Sequence, residues 1–185
     1  MQPTALAQAQ DIAAGLLAQV GADQLQAPTP CAEWNVGQLI DHMVGTQNWA
    51  RAAIDGVELT DTGDGASAGD FRTEYADAAA ACLAAFQADG ALERTVDPGF
   101  GEMPAAALLG IATTDTFTHA WDLATALDLD NDLDPELAEL LLDNAHRAIP
   151  PSFRTEDGSI FRAEQDAPAG ANAATRLAAY LGRTV

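Results

Sequence analysis

The chain has 185 residues, 48% of them hydrophobic, which suits one globular domain spanning residues 1–185. Its 28 acidic and 8 basic residues give a net charge of −20, which excludes nucleic acids and anionic membranes as partners because both bind basic surfaces. No run approaches the roughly 18 apolar residues of a membrane span, and the N-terminus lacks the segments of a signal peptide, so we expect a cytoplasmic protein with reduced cysteines.

Apolar residues at helical spacing, in an alanine- and leucine-rich chain, favour helix over strand. The first helix is expected to stop near Gly21, Asn35 is predicted to cap the second, Pro104 suits the first turn of the fourth, and Pro135 opens the fifth. The pattern predicts helices over residues 4–20, 36–54, 70–89, 104–127, 135–149 and 171–181.

The connections are read from proline, glycine and polar residues. Residues 28–35 form a proline-containing connection, residues 55–70 a polar surface loop, and residues 151–170 an irregular segment. An extended piece over residues 92–96 precedes a turn at 97–99, where a two-stranded hairpin fits as a small addition. The predicted fold is therefore all-α, a four-helix bundle with short extra helices and a small β-hairpin.

Histidines supply the candidate metal ligands. His42 lies in the middle of the second predicted helix and His119 in the middle of the fourth, four residues after Asp115. A spacing of four places Asp115 and His119 on one helical face, one turn apart. With a histidine from a facing helix they can form a two-histidine, one-carboxylate metal site that leaves coordination positions open. The competing interpretation is a pair of packed histidines, since an acid four residues before a histidine is common in so acidic a chain.

The remaining reactive residues carry weaker signals. His146 has no acid four residues away and suits a cation in the last turn of its helix. Cys82 lies in an alanine-rich helix and is expected in the core. Cys31 follows a proline in a loop, where both a buried structural thiol and a reactive one are open interpretations. Asp122, three residues after His119, suits either a role behind the metal ligands or a helix-surface or capping role.

Two segments resemble a known family. Residues 29–45, TPCAEWNVGQLIDHMVG, resemble the pattern TPCxxWxVxxLxxHxxG, and residues 115–124, DTFTHAWDLA, resemble DxxxHxWDLA. Residues 100–104 and the stretch from 167 to 183 are also similar. Together these segments resemble those of actinobacterial metal-binding proteins of the DinB-like superfamily, which are related to the N-terminal domain of mycothiol-dependent maleylpyruvate isomerase.

The resemblance implies a DinB-like bundle that holds one divalent metal, zinc or else nickel, on His42, Asp115 and His119. Two departures bear on activity. The isomerase has Glu where this chain has Asp115. The isomerase also carries a further C-terminal domain, and we expect this chain to be too short to contain it.

Function follows from the open metal site. The first hypothesis is a thiol-dependent transferase or isomerase, in which the metal activates a low-molecular-weight thiol such as mycothiol for attack on a small electrophile. The second is a non-catalytic metal- or ligand-binding module, and the third a bundle without metal. The expected partners are the thiol, the electrophile and a second copy of the chain in a homodimer, whereas the sequence names no acid or base for catalysis.

Overall fold

Six α-helices account for most of the chain in a computed structural model that describes residues 1–31, 34–154 and 162–185. They are α1 (Pro3–Leu17), α2 (Val36–Asp55), α3 (Phe71–Gln87), α4 (Ala105–Ala126), α5 (Pro135–Ala148) and α6 (Ala173–Tyr180). Four single 3-10 turns lie between them, and two short strands, β1 (Thr95–Val96) and β2 (Met103–Pro104), pair antiparallel. The predicted all-α class and the small hairpin are confirmed.

Most predicted helix ends agree with the structure to within three residues, and the caps explain them. The Asn35 side chain accepts a hydrogen bond from the Gln38 N–H at 2.9 Å, and Gln38 Oε1 accepts one from the Asn35 N–H at 3.0 Å. This reciprocal pair satisfies two donors that helix geometry leaves free at the start of α2. Pro104 belongs to β2 and is the N-cap residue of α4, because its backbone is extended. The predicted helix therefore began one residue too early, at Pro104.

The helices α1–α4 form the bundle, in which α2 packs on α3 and α4, and α1 packs on α3 and α4. Helices α5 and α6 pack on each other and cover one side of α4. As a result, every residue from Thr116 to Ala124 of α4 is buried. Side chains on this stretch face the interior whichever way they point, so a polar one among them needs a buried partner.

A buried polar chain links the four bundle helices. The Gln10 side-chain amide of α1 donates to Gln47 Oε1 of α2 at 2.8 Å and to the carbonyl of Ala79 in α3 at 3.0 Å. Gln47 in turn donates to Thr116 Oγ1 of α4 at 2.9 Å. Because buried amides need partners, this chain favours one register of α2 against α4.

The loop between α2 and α3 is exposed over most of its length, as its polar composition predicts, and one part of it packs on α2. It lies directly on α2, where Gly45 faces the backbone carbonyl of Thr62 so closely that a Cβ atom at residue 45 would collide with it. Gly63, with φ of 79°, meets the carbonyl of Asp41 in the same way, and Ala66 is buried in the core. The predicted surface loop is confirmed, and two glycines in addition allow part of its backbone to pack on the backbone of α2.

The C-terminal end of the chain returns to α4. After α6 the backbone N–H of Arg183 donates to the carbonyl of Ala178, and its side chain extends to Asp122 of α4. Among the described helices none is both long enough and apolar enough to cross a membrane. Residues 155–161, part of the predicted irregular segment 151–170, lie outside the described residues, and residues 151–153 form a 3-10 turn.

Candidate metal centre

The structure brings the three predicted ligands together where α2 packs on α4. His42 Nε2 lies 3.4 Å from both carboxylate oxygens of Asp115, and His119 Nε2 lies 3.5 Å from Asp115 Oδ1. The imidazole centroids of His42 and His119 are 4.6 Å apart, with the rings edge to face. Two nitrogens and one carboxylate thus face one another, which is the donor set expected for a divalent ion.

The spacing and the hydrogen bonding of this group fit a metal ion. Ligand atoms at the corners of a tetrahedron with bonds of about 2.1 Å lie about 3.4 Å apart, close to the separations seen here. Asp115 Oδ2 is buried and has no hydrogen-bond partner among the described residues. A buried carboxylate oxygen without a donor is costly unless a cation satisfies it.

His119 is held in the orientation that a ligand needs. Its Nδ1 is 2.9 Å from Asp122 Oδ2, and Asp122 is completely buried. A carboxylate accepts at Nδ1, so an N–H is placed there, and Nε2, which faces Asp115, is the nitrogen left for a metal ion. Asp122 also receives two hydrogen bonds from Arg183, Nη2 to Oδ2 at 2.9 Å and Nε to Oδ1 at 3.3 Å. The helix-surface interpretation of Asp122 is therefore wrong.

In the absence of a metal ion, the charges of these groups shift the pKa values of His119 and Asp115. Burial lowers the pKa of His119, but the carboxylates of Asp115 and Asp122 outweigh it and raise the pKa to about 9. Burial raises the pKa of Asp115, yet His119 and the hydrogen bonds of both imidazoles hold it well below its usual range. The site therefore keeps a positive charge beside Asp115 at neutral pH, as a metal ion would.

An aromatic side chain and a hydroxyl complete the surroundings of the ligands. The Trp34 ring lies 4.6 Å from the His42 ring and 5.7 Å from the His119 ring, centroid to centroid. Thr46 Oγ1 lies 3.2 Å from His42 Nε2. Trp34 shields both imidazoles on one side, so access is from the opposite side.

That access is an open cleft of about 360 Å³. Its lining contains two ligands, His42 and Asp115, with Thr46 beside them, and its outer walls are apolar. The full lining is His42, Gly45, Thr46, Trp49, Leu59, Thr62, Ile111 and Asp115. A small molecule in this cleft can reach the open side of the ligand set.

A second ligand group, Cys31 with His119 and Asp122, is close enough for a metal by distance alone. Here, however, His119 Nδ1 and Asp122 already bind each other, and Arg183 places a guanidinium 3.9 Å from Cys31 Sγ. A cation at that point would meet Arg183, so the group is better explained as an ion-pair network. Burial raises the pKa of the Cys31 thiol more than Arg183 lowers it, which favours the protonated thiol.

The other sequence expectations have plain outcomes. His146 lies in the last turn of α5, as predicted, and packs edge to face on Tyr180. Cys82 is fully buried in the core, and burial raises its pKa to about 12. The contacts of Trp34 and Arg183 were not foreseen. Both residues lie in sequence segments that resemble the family, and this resemblance was the signal that could have identified them as part of the site.

Comparison with known proteins identifies the group to which these features belong. A family model described as the mycothiol maleylpyruvate isomerase N-terminal domain matches residues 6–124. Two curated proteins from different strains of Mycobacterium tuberculosis, each described as an uncharacterized protein, are 43% identical to this chain over 178 residues. The alignment covers 96% of this chain and 94% of each relative. No solved structure matches the chain.

Proposed function

Because this chain belongs to the mycothiol maleylpyruvate isomerase N-terminal domain family, we propose that it binds one divalent metal ion and uses it to activate a low-molecular-weight thiol. The products would be those of sulfur transfer to a small electrophile or of its cis–trans isomerisation. The observation that carries the proposal is the convergence of His42, Asp115 and His119, whose ligand atoms all lie within 4.8 Å of one another, beside an open cleft. Zinc is the first choice of metal and nickel the second, since imidazole suits both.

The metal would be held by His42 Nε2, His119 Nε2 and the Asp115 carboxylate. A divalent ion held by these residues would lower the pKa of a bound thiol, and the chemistry it would supply is a nucleophilic sulfur at neutral pH. The carboxylate of Asp115 is one methylene shorter than the glutamate of the isomerase. The compact donor set seen here shows that this shorter side chain still reaches both imidazoles.

The chain's own residues prepare the site for this chemistry. Asp122 accepts a hydrogen bond from Nδ1 of His119, which would leave Nε2 as the nitrogen that binds the metal once its proton is released. Trp34 covers the imidazoles and keeps water from that side. Neither cysteine fits the role of nucleophile, because Cys82 lies in the core and burial raises the pKa of Cys31. The reacting sulfur is therefore assigned to a separate thiol.

Metal content tests the first half of the proposal. Protein purified without a histidine tag is expected to contain about one divalent ion per chain by elemental analysis, and the His42→Ala and His119→Ala variants are expected to lose it. His146→Ala is the matched control, since it removes the third histidine from an exposed position on α5 and should retain the metal. Stoichiometric metal in the His42→Ala/His119→Ala double variant would refute the assignment.

Turnover tests the second half. The metal-loaded protein should accelerate addition of mycothiol to a small electrophile, and chelation of the metal should abolish the acceleration, because a free thiol has a pKa of about 8.5. Saturable thiol binding without turnover on a panel of electrophiles would instead support the non-catalytic binding module.

A further inference from the structure

The buried polar chain of Gln10, Gln47 and Thr116 crosses the middle of the bundle. Helices α1 and α2 each pack on α3 and α4, so α1 and α2 lie at opposite corners, and the Gln10–Gln47 hydrogen bond of 2.8 Å spans the interior between them. None of the three side chains belongs to a residue more than 5% exposed. Water is therefore a poor substitute for any partner that one of them loses.

The two helices that carry the predicted metal ligands also carry part of the polar chain. Gln47 follows His42 in α2 by five positions, which is about 7.5 Å along the helix axis. Thr116 directly follows Asp115 in α4. The Gln47–Thr116 hydrogen bond at 2.9 Å and the contact of the two ligands at 3.4 Å thus join α2 to α4 at two neighbouring points. Holding the helices together at the first point restricts their movement at the second.

The tolerance of each contact determines how much movement the site allows. A side-chain hydrogen bond of 2.9 Å is lost once its atoms are about 3.6 Å apart, and bonds to a metal ion keep their lengths within about 0.2 Å. A shift of α2 by one residue moves its side chains by about 1.5 Å along the axis and turns them by about 100°. Such a shift would break the polar chain and separate the metal ligands together.

Apolar packing alone defines this alignment less sharply. A single core cluster contains Leu39, Ile40 and Met43 of α2 together with Ala120 and Leu123 of α4. Hydrophobic burial has no direction, and apolar cores remain stable through changes that lose one unique arrangement. A polar contact inside a core can instead specify how two helices are aligned, because a wrong alignment leaves polar groups unpaired.

We propose that the buried polar chain positions the metal centre, because it fixes α2 against α4 in the alignment that brings His42 to Asp115 and His119. Gln47 is the central positioning residue, since its amide bonds to both other members of the polar chain. It acts through His42 rather than as a ligand. The proposal rests on the metal binding proposed above and does not depend on thiol chemistry.

Four variants test this role. Thr116→Val removes the acceptor of Gln47 while keeping the shape of the side chain, and Thr116→Ser keeps the hydroxyl. Thr113→Val is the matched control, because Thr113 is also buried in α4 but donates to the Leu109 carbonyl of its own helix at 2.7 Å. The triple variant Gln10→Met/Gln47→Met/Thr116→Val replaces all three polar side chains by apolar ones of similar size, so that none is left unpaired.

Three measurements are made on each variant. Competition with a chelator gives zinc affinity, the visible spectrum of cobalt-substituted protein reports the arrangement of the ligands, and thermal unfolding of metal-free protein gives the melting temperature. Thr116→Val should weaken zinc binding about tenfold and alter the cobalt spectrum, whereas Thr116→Ser should restore both. Thr113→Val should bind zinc as the original protein does.

The triple variant separates positioning from folding. Apolar replacement of a complete buried polar group is often neutral or stabilising, so its melting temperature should equal or exceed that of the original protein. Its zinc affinity should nevertheless be about tenfold lower, because the alignment of α2 is no longer specified.

Three outcomes would overturn the proposal. Original zinc affinity with an unchanged cobalt spectrum in the triple variant would show that the polar chain does not position the ligands. Zinc affinity that follows the melting temperature in every variant, Thr113→Val included, would reduce the polar chain to general support of the fold. An original protein that binds neither zinc nor cobalt would refute the proposed metal site, and the positioning role with it.

Discussion

Replacing Asp122 by Asn tests how the site is assembled, because Asp122 joins His119 to Arg183. Its carboxylate, completely buried, accepts three hydrogen bonds, one from His119 Nδ1 and two from Arg183. Asparagine has the same size but offers one oxygen instead of two and no charge. At least one of the three donors from His119 and Arg183 then faces the NH₂ group of the asparagine instead of an acceptor, and Arg183 loses the opposite charge that it pairs with.

Two magnitudes follow. Removing one partner of a buried ion pair costs about 3–5 kcal/mol. Because the Arg183 side chain keeps 18% of its surface exposed, we expect the lower end, about 3 kcal/mol from the unfolding free energy of the metal-free protein. Loss of the carboxylate behind a metal-binding histidine weakens metal affinity about 10- to 100-fold, or about 1.4–2.8 kcal/mol.

Two measurements on each variant separate these effects. Urea unfolding of the metal-free protein gives stability, and competition with a chelator gives zinc affinity. Asp143→Asn, on the exposed face of α5, is the control and should change neither. The Asp122→Asn/Arg183→Met double variant removes the orphaned cation, so it should regain part of the stability but none of the zinc affinity.

The two quantities therefore diverge if the reasoning is right. Zinc affinity that is unchanged in Asp122→Asn would show that His119 does not depend on Asp122 for its orientation. Affinity that recovers together with stability in the double variant would show that Asp122 acts only through folding.

Three further predictions concern protons, salt and sulfur. The neighbouring carboxylates raise the pKa of His119 to about 9, so zinc binding at pH 7 should release a proton from His119, and the apparent zinc affinity should rise about tenfold per pH unit until about pH 9. Calorimetry in buffers of different ionisation enthalpy measures the number of protons released, and a value of zero would contradict the prediction. Self-repulsion at a net charge of −20 should make the melting temperature rise between low salt and a few hundred millimolar NaCl, whereas a flat profile would show locally compensated charges. Cys31→Ser should leave the rate of thiol addition nearly unchanged, and loss of all activity with metal still bound would make Cys31 the nucleophile.

The helices and the proximity of Asp115 to His119 were predictable from the sequence, because both depend on local spacing. Apolar periodicity marks each helix, Asn35 and Asp134 mark two of their starts, and a separation of four places Asp115 beside His119. The spacing of residues does not predict that His42 of α2 lies beside Asp115 and His119 of α4. It depends on how the helices pack, and the family-like words around each histidine supplied that expectation.

Long-range pairings were out of reach of the sequence pattern. Arg183 meets Asp122 across 61 positions of chain, and no local rule connects an arginine after the last helix with an aspartate in the fourth. The loop before α3 is exposed over most of its length, as its polar composition predicts. The contact of this loop with α2 depends on the absence of a Cβ atom at Gly45 and Gly63, and a hydropathy pattern does not reveal such a contact.

The paired glycines also determine the shape of the cleft. Leu59 and Thr62 form one wall because their loop is seated on α2 through Gly45 and Gly63. A relative with any side chain at the position of Gly45 cannot seat the loop along this course and must enclose a differently shaped space over the same ligands. The residue three positions after His42 is therefore expected to distinguish relatives by the outline of the molecules that their clefts admit.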